Sequence, residues 1–254
     1  EPAPAGLGGR EIAAGTDARG DVHVLYAPAG RGMGHLVLRG GHALPAEYLD
    51  RDGTMMAIAP PVRGLPLEAA YIGGVVSRER PRAEGDVYVR ALGARGPAPA
   101  REAYVGPGRY SHRPRLTVDG QGVRHLFWLE DTDGTVRPEA LYASTSPDGV
   151  RWTPARDLTP PSLRAGVVSR VWAVADATGR VHLALRRCDA DGARPALYYL
   201  SIRGGVVSPV QPLAAPGELG PGDTQLVLDS ARRRVVALWR GVDGVYRWRT
   251  LPVG

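Results

Sequence analysis

Apolar residues along this chain come in short runs cut by Asp, Gly and Pro. That is the pattern of strands joined by tight turns, not of helices. Four segments fit one template. An aspartate opens a turn, and six positions later His or Val opens an apolar run: Asp17 with His23, Asp119 with His125, Asp176 with His182 and Asp229 with Val235. Weaker copies run from Asp50 to Met56 and from Gly85 to Val89. Residues 114–118, 171–175 and 224–228 are also strand-like, so each unit begins strand, Asp turn, strand. A third strand follows a second turn: Asp133-Gly134 leads to Leu141-Tyr142-Ala143, Asp191-Gly192 to Leu197-Tyr198-Tyr199, and Asp243-Gly244 to Val245-Tyr246. Asp-Gly supplies the positive backbone angles of a tight hairpin.

The copies at Asp119, Asp176 and Asp229 recur at roughly 50 to 60 residues, the length of four short antiparallel strands with their turns. Repeated four-stranded sheets set radially make a β-propeller. The 254 residues then form a single all-β domain over 1–254 with five blades. Asp17 to Asp50 leaves little chain for four strands, so six thinner blades are the alternative. The last unit offers strands near 233–240 and 244–251 and then stops. Residues near the N-terminus are expected to complete that blade and close the ring, which would remove the sheet edges.

Composition agrees. Gly (34) and Pro (23) are too abundant for long helices. Hydrophobic residues at 43% and charged residues at 23% suit a globular chain. No apolar run is long enough to span a bilayer as a helix. The single cysteine, Cys188, excludes an internal disulfide and a cysteine zinc site. The net charge of +6 and pI near 9.8 invite a nucleic-acid reading. Yet all basic residues are Arg, with no Lys or Asn in the chain, as a GC-rich genome produces, and they are scattered. The one run, Arg232-Arg233-Arg234, falls at an expected hairpin turn, and no aromatic-interleaved basic stripe exists. Nucleic acid is therefore not an expected partner. The chain opens Glu1-Pro2-Ala3-Pro4-Ala5 without Met, which suggests a processed, secreted or periplasmic protein.

One turn carries a family resemblance. Ser146-Pro147-Asp148-Gly149-Val150-Arg151-Trp152 resembles the Asp-box of sialidase-like (BNR repeat) propellers. In that motif Ser and Asp bond turn amides, Gly takes the left-handed angle and Trp packs on the sheet. The resemblance implies that Ser146, Asp148, Gly149 and Trp152 are structural, on the face away from the site. It also implies a glycan-directed function. Sialidases grip their substrate with three arginines and attack with a tyrosine. Their Tyr/Phe-Arg-Ile-Pro motif is absent here, with Ser111-His112-Arg113-Pro114 a distant echo.

In a propeller, the starts of the innermost strands and the ends of the second strands meet around the central channel, where pockets form. This expectation puts Glu11, Glu68, Tyr110, His112, Arg113, Arg170, Asp223 and Gln225 at strand starts, and Arg90, Glu130, Asp131, Arg187 and Arg240 at second-strand ends. Residues that recur in each unit read as scaffold: His23, His125 and His182 brace the sheets, the repeated aspartates make turns, and Tyr142, Tyr198 and Tyr246 pack blades. Residues that break the repeat read as site. Glu130, Asp131, Glu68 and Asp223 are the candidate acids and bases. Tyr110, His112, Arg113, Arg170, Arg187 and Arg240 are candidate substrate contacts, guanidinium being suited to a carboxylate or phosphate. Glu130-Asp131-Thr132-Asp133-Gly134 lacks the further ligands of a calcium loop, and no phosphate loop, dinucleotide fingerprint or nucleophile elbow occurs. No metal or cofactor is expected. Two readings remain: a glycoside hydrolase or lyase of sialidase-like shape working on a carbohydrate or other anionic small molecule, or a non-catalytic propeller that binds a glycan, small molecule or protein.

Overall fold

The computed structural model describes residues 11–27, 32–50, 53–62, 64–73, 85–93, 98–104, 110–131, 138, 140–220 and 224–253. These form five antiparallel sheets. The first blade holds β1 (Ile12–Thr16), β2 (Val22–Tyr26), β3 (Met33–Arg39) and a split outer edge of β4 (His42–Ala43) and β5 (Glu47–Asp50), both paired to β3. The second holds β6 (Thr54–Ile58), β7 (Leu67–Gly73), β8 (Asp86–Leu92) and β9 (Arg101–Tyr104). The third holds β10 (Tyr110–Val118), β11 (Arg124–Asp131), β12 (Ala140–Ser146) and β13 (Arg156–Asp157). The fourth holds β14 (Val167–Ala175), β15 (Val181–Cys188), β16 (Ala196–Arg203), β17 (Val206–Val207) and β18 (Gln211–Ala214). The fifth holds β19 (Gln225–Asp229), β20 (Arg234–Arg240) and β21 (Tyr246–Pro252). The protein is a five-bladed β-propeller, and the only helical element among the described residues is one 3-10 turn, Pro161–Leu163. The N-terminal residues expected to complete the fifth blade lie outside the described residues.

The innermost strands form the hub: β10 touches β6 and β14, β6 touches β1, and β14 touches β19. Hydrophobic clusters fill the spaces between successive blades. Leu25, Met56 and Tyr71 join the first to the second blade, and Val87, Leu126 and Trp128 the second to the third. Phe127, Leu141 and Leu183 join the third to the fourth, and Leu197, Val235 and Trp239 the fourth to the fifth. Alternation explains this: Leu126 and Trp128 of β11 face one neighbour, Phe127 and Leu129 the other.

The repeated aspartates make the expected turns. Asp119 Oδ1 accepts the Gln121 and Val123 amides at 2.9 and 3.0 Å, and Asp176 Oδ1 does the same for Thr178 and Arg180 at 2.8 and 3.0 Å. The histidine six residues on lies against the same aspartate: Nε2 is 3.5 Å from Asp17, 2.9 Å from Asp119 and 3.4 Å from Asp176. The Ser146–Trp152 turn, between β12 and β13, has its expected bonds. Ser146 Oγ accepts the Gly149 amide at 2.8 Å, and Asp148 Oδ1 accepts those of Val150 and Arg151 at 2.8 and 2.9 Å. Gly149 sits at φ 70°, and Trp152 packs on the cluster between the second and third blades.

Three expectations are corrected. Asp50 closes β5, so the stretch to Met56 links two blades, and Gly85 to Val89 enters a third strand, not a second. The first blade is not short of chain, because its innermost strand, β1, precedes Asp17, and the span from Asp17 to Asp50 holds only the remaining strands. Tyr246 is exposed on the fifth blade, whereas Tyr142 stacks on Trp128 and Tyr198 packs into the core.

Candidate active site at the channel mouth

A cavity of about 570 Å³ opens where the five innermost strands begin, and every blade contributes to its wall. The first blade gives Glu11 and Ile12, the second Met55 and Met56, the third Arg113 and Arg115, the fourth Arg170 and Trp172, and the fifth Thr224 and Gln225. Of the sequence-chosen contacts, Arg113 and Arg170 are therefore brought together. The wall carries one carboxylate, Glu11 of the first blade, and three arginines, from the third and fourth blades.

Backbone irregularities aim these side chains. Strand pairing slips between Thr54 and Ala57, between His112 and Arg115, and between Val168 and Arg170. Such bulges insert a residue and turn its side chain out of the ladder. In two of them the inserted residue is left-handed: Met55 at φ 51° and Arg113 at φ 49°, a conformation that costs a side-chain-bearing residue about 1–2 kcal/mol. The Met55 amide donates to Glu11 Oε2 at 2.6 Å, which fixes that carboxylate at the rim. Arg115 is pinned within the wall: Nε donates to the Val171 carbonyl and Nη1 to that of Pro114, each at 3.0 Å.

Of the carboxylates chosen from sequence, the three that are described do not line this wall. Glu130 is fully buried behind it. Its Oε2 accepts Trp128 Nε1 at 2.8 Å and Ser111 Oγ at 3.0 Å, and its Oε1 accepts the Tyr104 hydroxyl at 3.2 Å. Asp131 is also buried, opposite Tyr110 in the β10–β11 pairing; the Tyr110 side chain lies outside the described residues. Glu68 is a correction. It begins β7, at the end of the blade away from the mouth, where it pairs with Arg124 Nε and Nη2 at 3.0 and 3.2 Å. Arg90 is likewise on β8, opposite Ala69, and donates to the Leu49 carbonyl at 3.0 Å. Both displacements follow from reading the second blade one strand out of step, since its first turn has prolines where the others have Asp. Asp223 lies outside the described residues.

His112 stands beside the bulge. Burial pushes its pKa below the ordinary value, Arg113 pushes the same way, and Asp131 pulls it up, leaving a net fall. The ring is thus neutral near pH 7. Arg187 and Arg240 end their second strands as expected but stay off the cavity wall. Arg187 packs beside Gly166, where a Cβ would sit 2.8 Å from Nη2, and exposed Arg240 donates from Nε to the Gly244 carbonyl at 3.3 Å. Arg115, Trp172 and Thr224 were missed as wall residues, and Glu11 and Gln225 were placed at the mouth without a role. Trp172 offers an aromatic face of the kind that packs on apolar ligand surface. Among the described residues no cluster of His, Cys, Asp and Glu suits a metal ion.

No family model matches the chain, and no curated protein matches it. Solved structures do. An α-L-arabinanase of Penicillium chrysogenum complexed with arabinobiose aligns with TM-score 0.58 and 13% identity, over 99% of this chain and 82% of that one. A PL25 ulvan lyase bound to -[GlcA(1-4)Rha3S]- aligns with TM-score 0.61 and 12% identity, over 95% of this chain and 63% of that one. The Aleuria aurantia lectin, as a point mutant in complex with α-methyl-L-fucoside, aligns with TM-score 0.53 and 10% identity, over 96% and 78%. At such identities the likeness is one of fold.

Proposed function

We propose that the protein binds an anionic polysaccharide at the channel mouth and cleaves it by β-elimination. The observation that carries this reading is the gathering of Arg113, Arg115 and Arg170 with Glu11 on the wall of one open cavity. Paired guanidinium donors suit a uronate carboxylate or a sulfate. Neutralising a uronate carboxylate makes its C5 proton acidic. Glu11 takes that proton, the C5–H electrons form the C4=C5 double bond, and the C4–O bond to the next sugar breaks, its electron pair leaving on the oxygen, which takes up a proton from solvent. Glu11 Oε2 is occupied by the Met55 amide, and Oε1 is the oxygen available for the proton. Trp172 gives a face for a sugar ring. Glu130 serves as a positioning residue, holding Ser111 and with it the start of β10, two residues before Arg113. Asp131 and neutral His112 back the same bulge. The fold is shared with propellers whose complexes contain arabinobiose and a glucuronate-containing sulfated chain, and the Ser146–Trp152 turn supports kinship with Asp-box propellers.

A second reading, recognition without cleavage, is favoured by the burial of Glu130 and Asp131, which leaves Glu11 as the carboxylate on the described wall. One experiment separates the readings. The protein is incubated with a sulfated glucuronate polysaccharide, with polygalacturonate and with neutral arabinan. Elimination yields ultraviolet-absorbing unsaturated ends, hydrolysis yields reducing ends without that absorbance, and recognition alone yields retention on the immobilised polysaccharide without products. Arg113→Gln and Arg170→Gln are each expected to weaken acidic-polysaccharide binding by about tenfold, the equivalent of one charge-assisted hydrogen bond. Equal retention of acidic polysaccharide by wild type and both variants removes the proposal.

A further inference from the structure

We propose a second ligand site, in the space between the third and fourth blades at the end away from the channel mouth, that takes a small phenolic carboxylate. The blades themselves reveal it. In the first blade, Nδ1 of His23 lies 2.9 Å from His35 Nε2. In the fourth, Nδ1 of His182 lies 2.7 Å from the Tyr199 hydroxyl. His35 and Tyr199 hold the same place in the pairing: each partners the residue two beyond its histidine, Leu25 and Ala184 respectively. In the third blade, that residue is Phe127 and its partner is Ala143. A methyl group stands where the first and fourth blades put a ring, and a cavity of about 570 Å³ lies there.

Its chemistry follows from what surrounds Ala143. His125 lines the cavity, and its side chain is 15% exposed, against 0% for His23 and His182. Asp119 Oδ2 holds Nε2 at 2.9 Å. A carboxylate only accepts, so Nε2 carries a proton, and in the neutral ring Nδ1 is then an acceptor. Phe127, Leu158, Val181 and Ile202 give an apolar wall. Arg156 and Arg203 are exposed at the rim, and among the described residues neither has a carboxylate partner. Arg156 reaches across to the fourth blade, where Gly205 makes room: a Cβ there would lie 2.6 Å from Nη1. A phenolic carboxylate matches all three features. Its hydroxyl donates to His125 Nδ1 as Tyr199 does to His182, its ring covers the apolar wall, and its carboxylate meets the guanidiniums. The site is distinct from the mouth, which lies at the other end of the innermost strands.

The probe is 4-hydroxybenzoate, compared with benzoate and 4-methoxybenzoate and followed by calorimetry and ligand-observed NMR. Wild type is expected to bind 4-hydroxybenzoate, and each analogue about tenfold more weakly for want of the donated hydrogen bond. Ala143→Tyr, which copies the fourth blade, is expected to fold and to abolish binding. Arg156→Gln is expected to weaken it about tenfold. Arg113→Gln, at the mouth, is expected to bind the probe like wild type. Absence of binding by wild type overturns the proposal, as does unchanged binding by a folded Ala143→Tyr. Should that variant fail to fold, equal affinity for all three probes in wild type, or unchanged affinity in Arg156→Gln, overturns it instead.

Discussion

The backbone amide of Arg113 points at the sulfur of Met55, 3.4 Å away, and both residues are left-handed. Two adjacent innermost strands thus carry the same irregularity at the same level and lock it by contact. At φ 49° a β-branched side chain is badly placed and glycine is not. Arg113→Gly is expected to hold wild-type stability within about 1 kcal/mol, while Arg113→Val falls roughly 2 kcal/mol below it. Both weaken acidic-polysaccharide binding, as Arg113→Gln does. Urea midpoints together with retention assays read the two effects separately. A valine variant as stable as the glycine one shows that the backbone there is not strained.

Glu68 and Arg124 bind the second blade to the third far from the mouth, with side chains 8% exposed on each. Arg124 Nη1 also donates to the carbonyls of Gly122 and Pro147, at 3.0 and 3.2 Å, tying in the Ser146–Trp152 turn. Removing one partner of a buried pair strands the other charge. Glu68→Ala is expected to cost about 3 kcal/mol in chemical denaturation, with retention on acidic polysaccharide unchanged for the folded fraction. A loss of retention without a loss of stability would return Glu68 to the site.

Glu130 accepts from an indole, a hydroxyl and a phenol drawn from two blades. Glu130→Gln replaces one acceptor oxygen by a donor and sets it against another donor. The expected cost is about 2 kcal/mol, seen as a lower melting temperature, with cleavage reduced through weaker substrate binding rather than through turnover. A Glu130→Gln protein of wild-type stability and no turnover would instead make this carboxylate a reacting group.

The repeat made much of the wall legible from the residues alone. Glu11, Arg113 and Arg170 each stand six positions before a turn aspartate, and all three line the mouth. The second blade hid because Pro60, Pro61 and Pro66 replace the aspartate turn, which shifted Glu68 and Arg90 by one strand. The bulges hid because nothing in Thr54-Met55-Met56 or His112-Arg113-Pro114 marks a positive φ. Glu130 followed by Asp131 reads as a strand running out into solvent. Its burial depends on Tyr104, a residue of another blade, and a local pattern carries no such information. The cavity at Ala143 was hidden in the same way: an alanine in a strand signals nothing until its counterparts His35 and Tyr199 are aligned with it.

The His23–His35 pair sets a pH dependence of stability. The rings stack with centroids 5.1 Å apart, and both residues are buried. Burial, then His23, then Arg90 push the His35 pKa down to about 4. Burial also lowers His182, against the pull of Asp176. The unfolded chain takes up a proton at His35 near the ordinary value of about 6.5, whereas the native state resists until about 4. Between those values the unfolded state binds more protons, so stability is full above 6.5 and falls as the pH drops towards 4. The contribution of His35 to that fall is at most about 3 kcal/mol. Carboxylates with lowered pKa values, such as Asp243 at about 2, lose their contribution only below the ordinary carboxyl range. His35→Tyr, which puts in the first blade the ring that Tyr199 supplies in the fourth, isolates the histidine. Its urea midpoint is expected to change less than that of wild type between pH 7 and pH 4.5, and parallel curves for the two proteins would rule out His35 as the source.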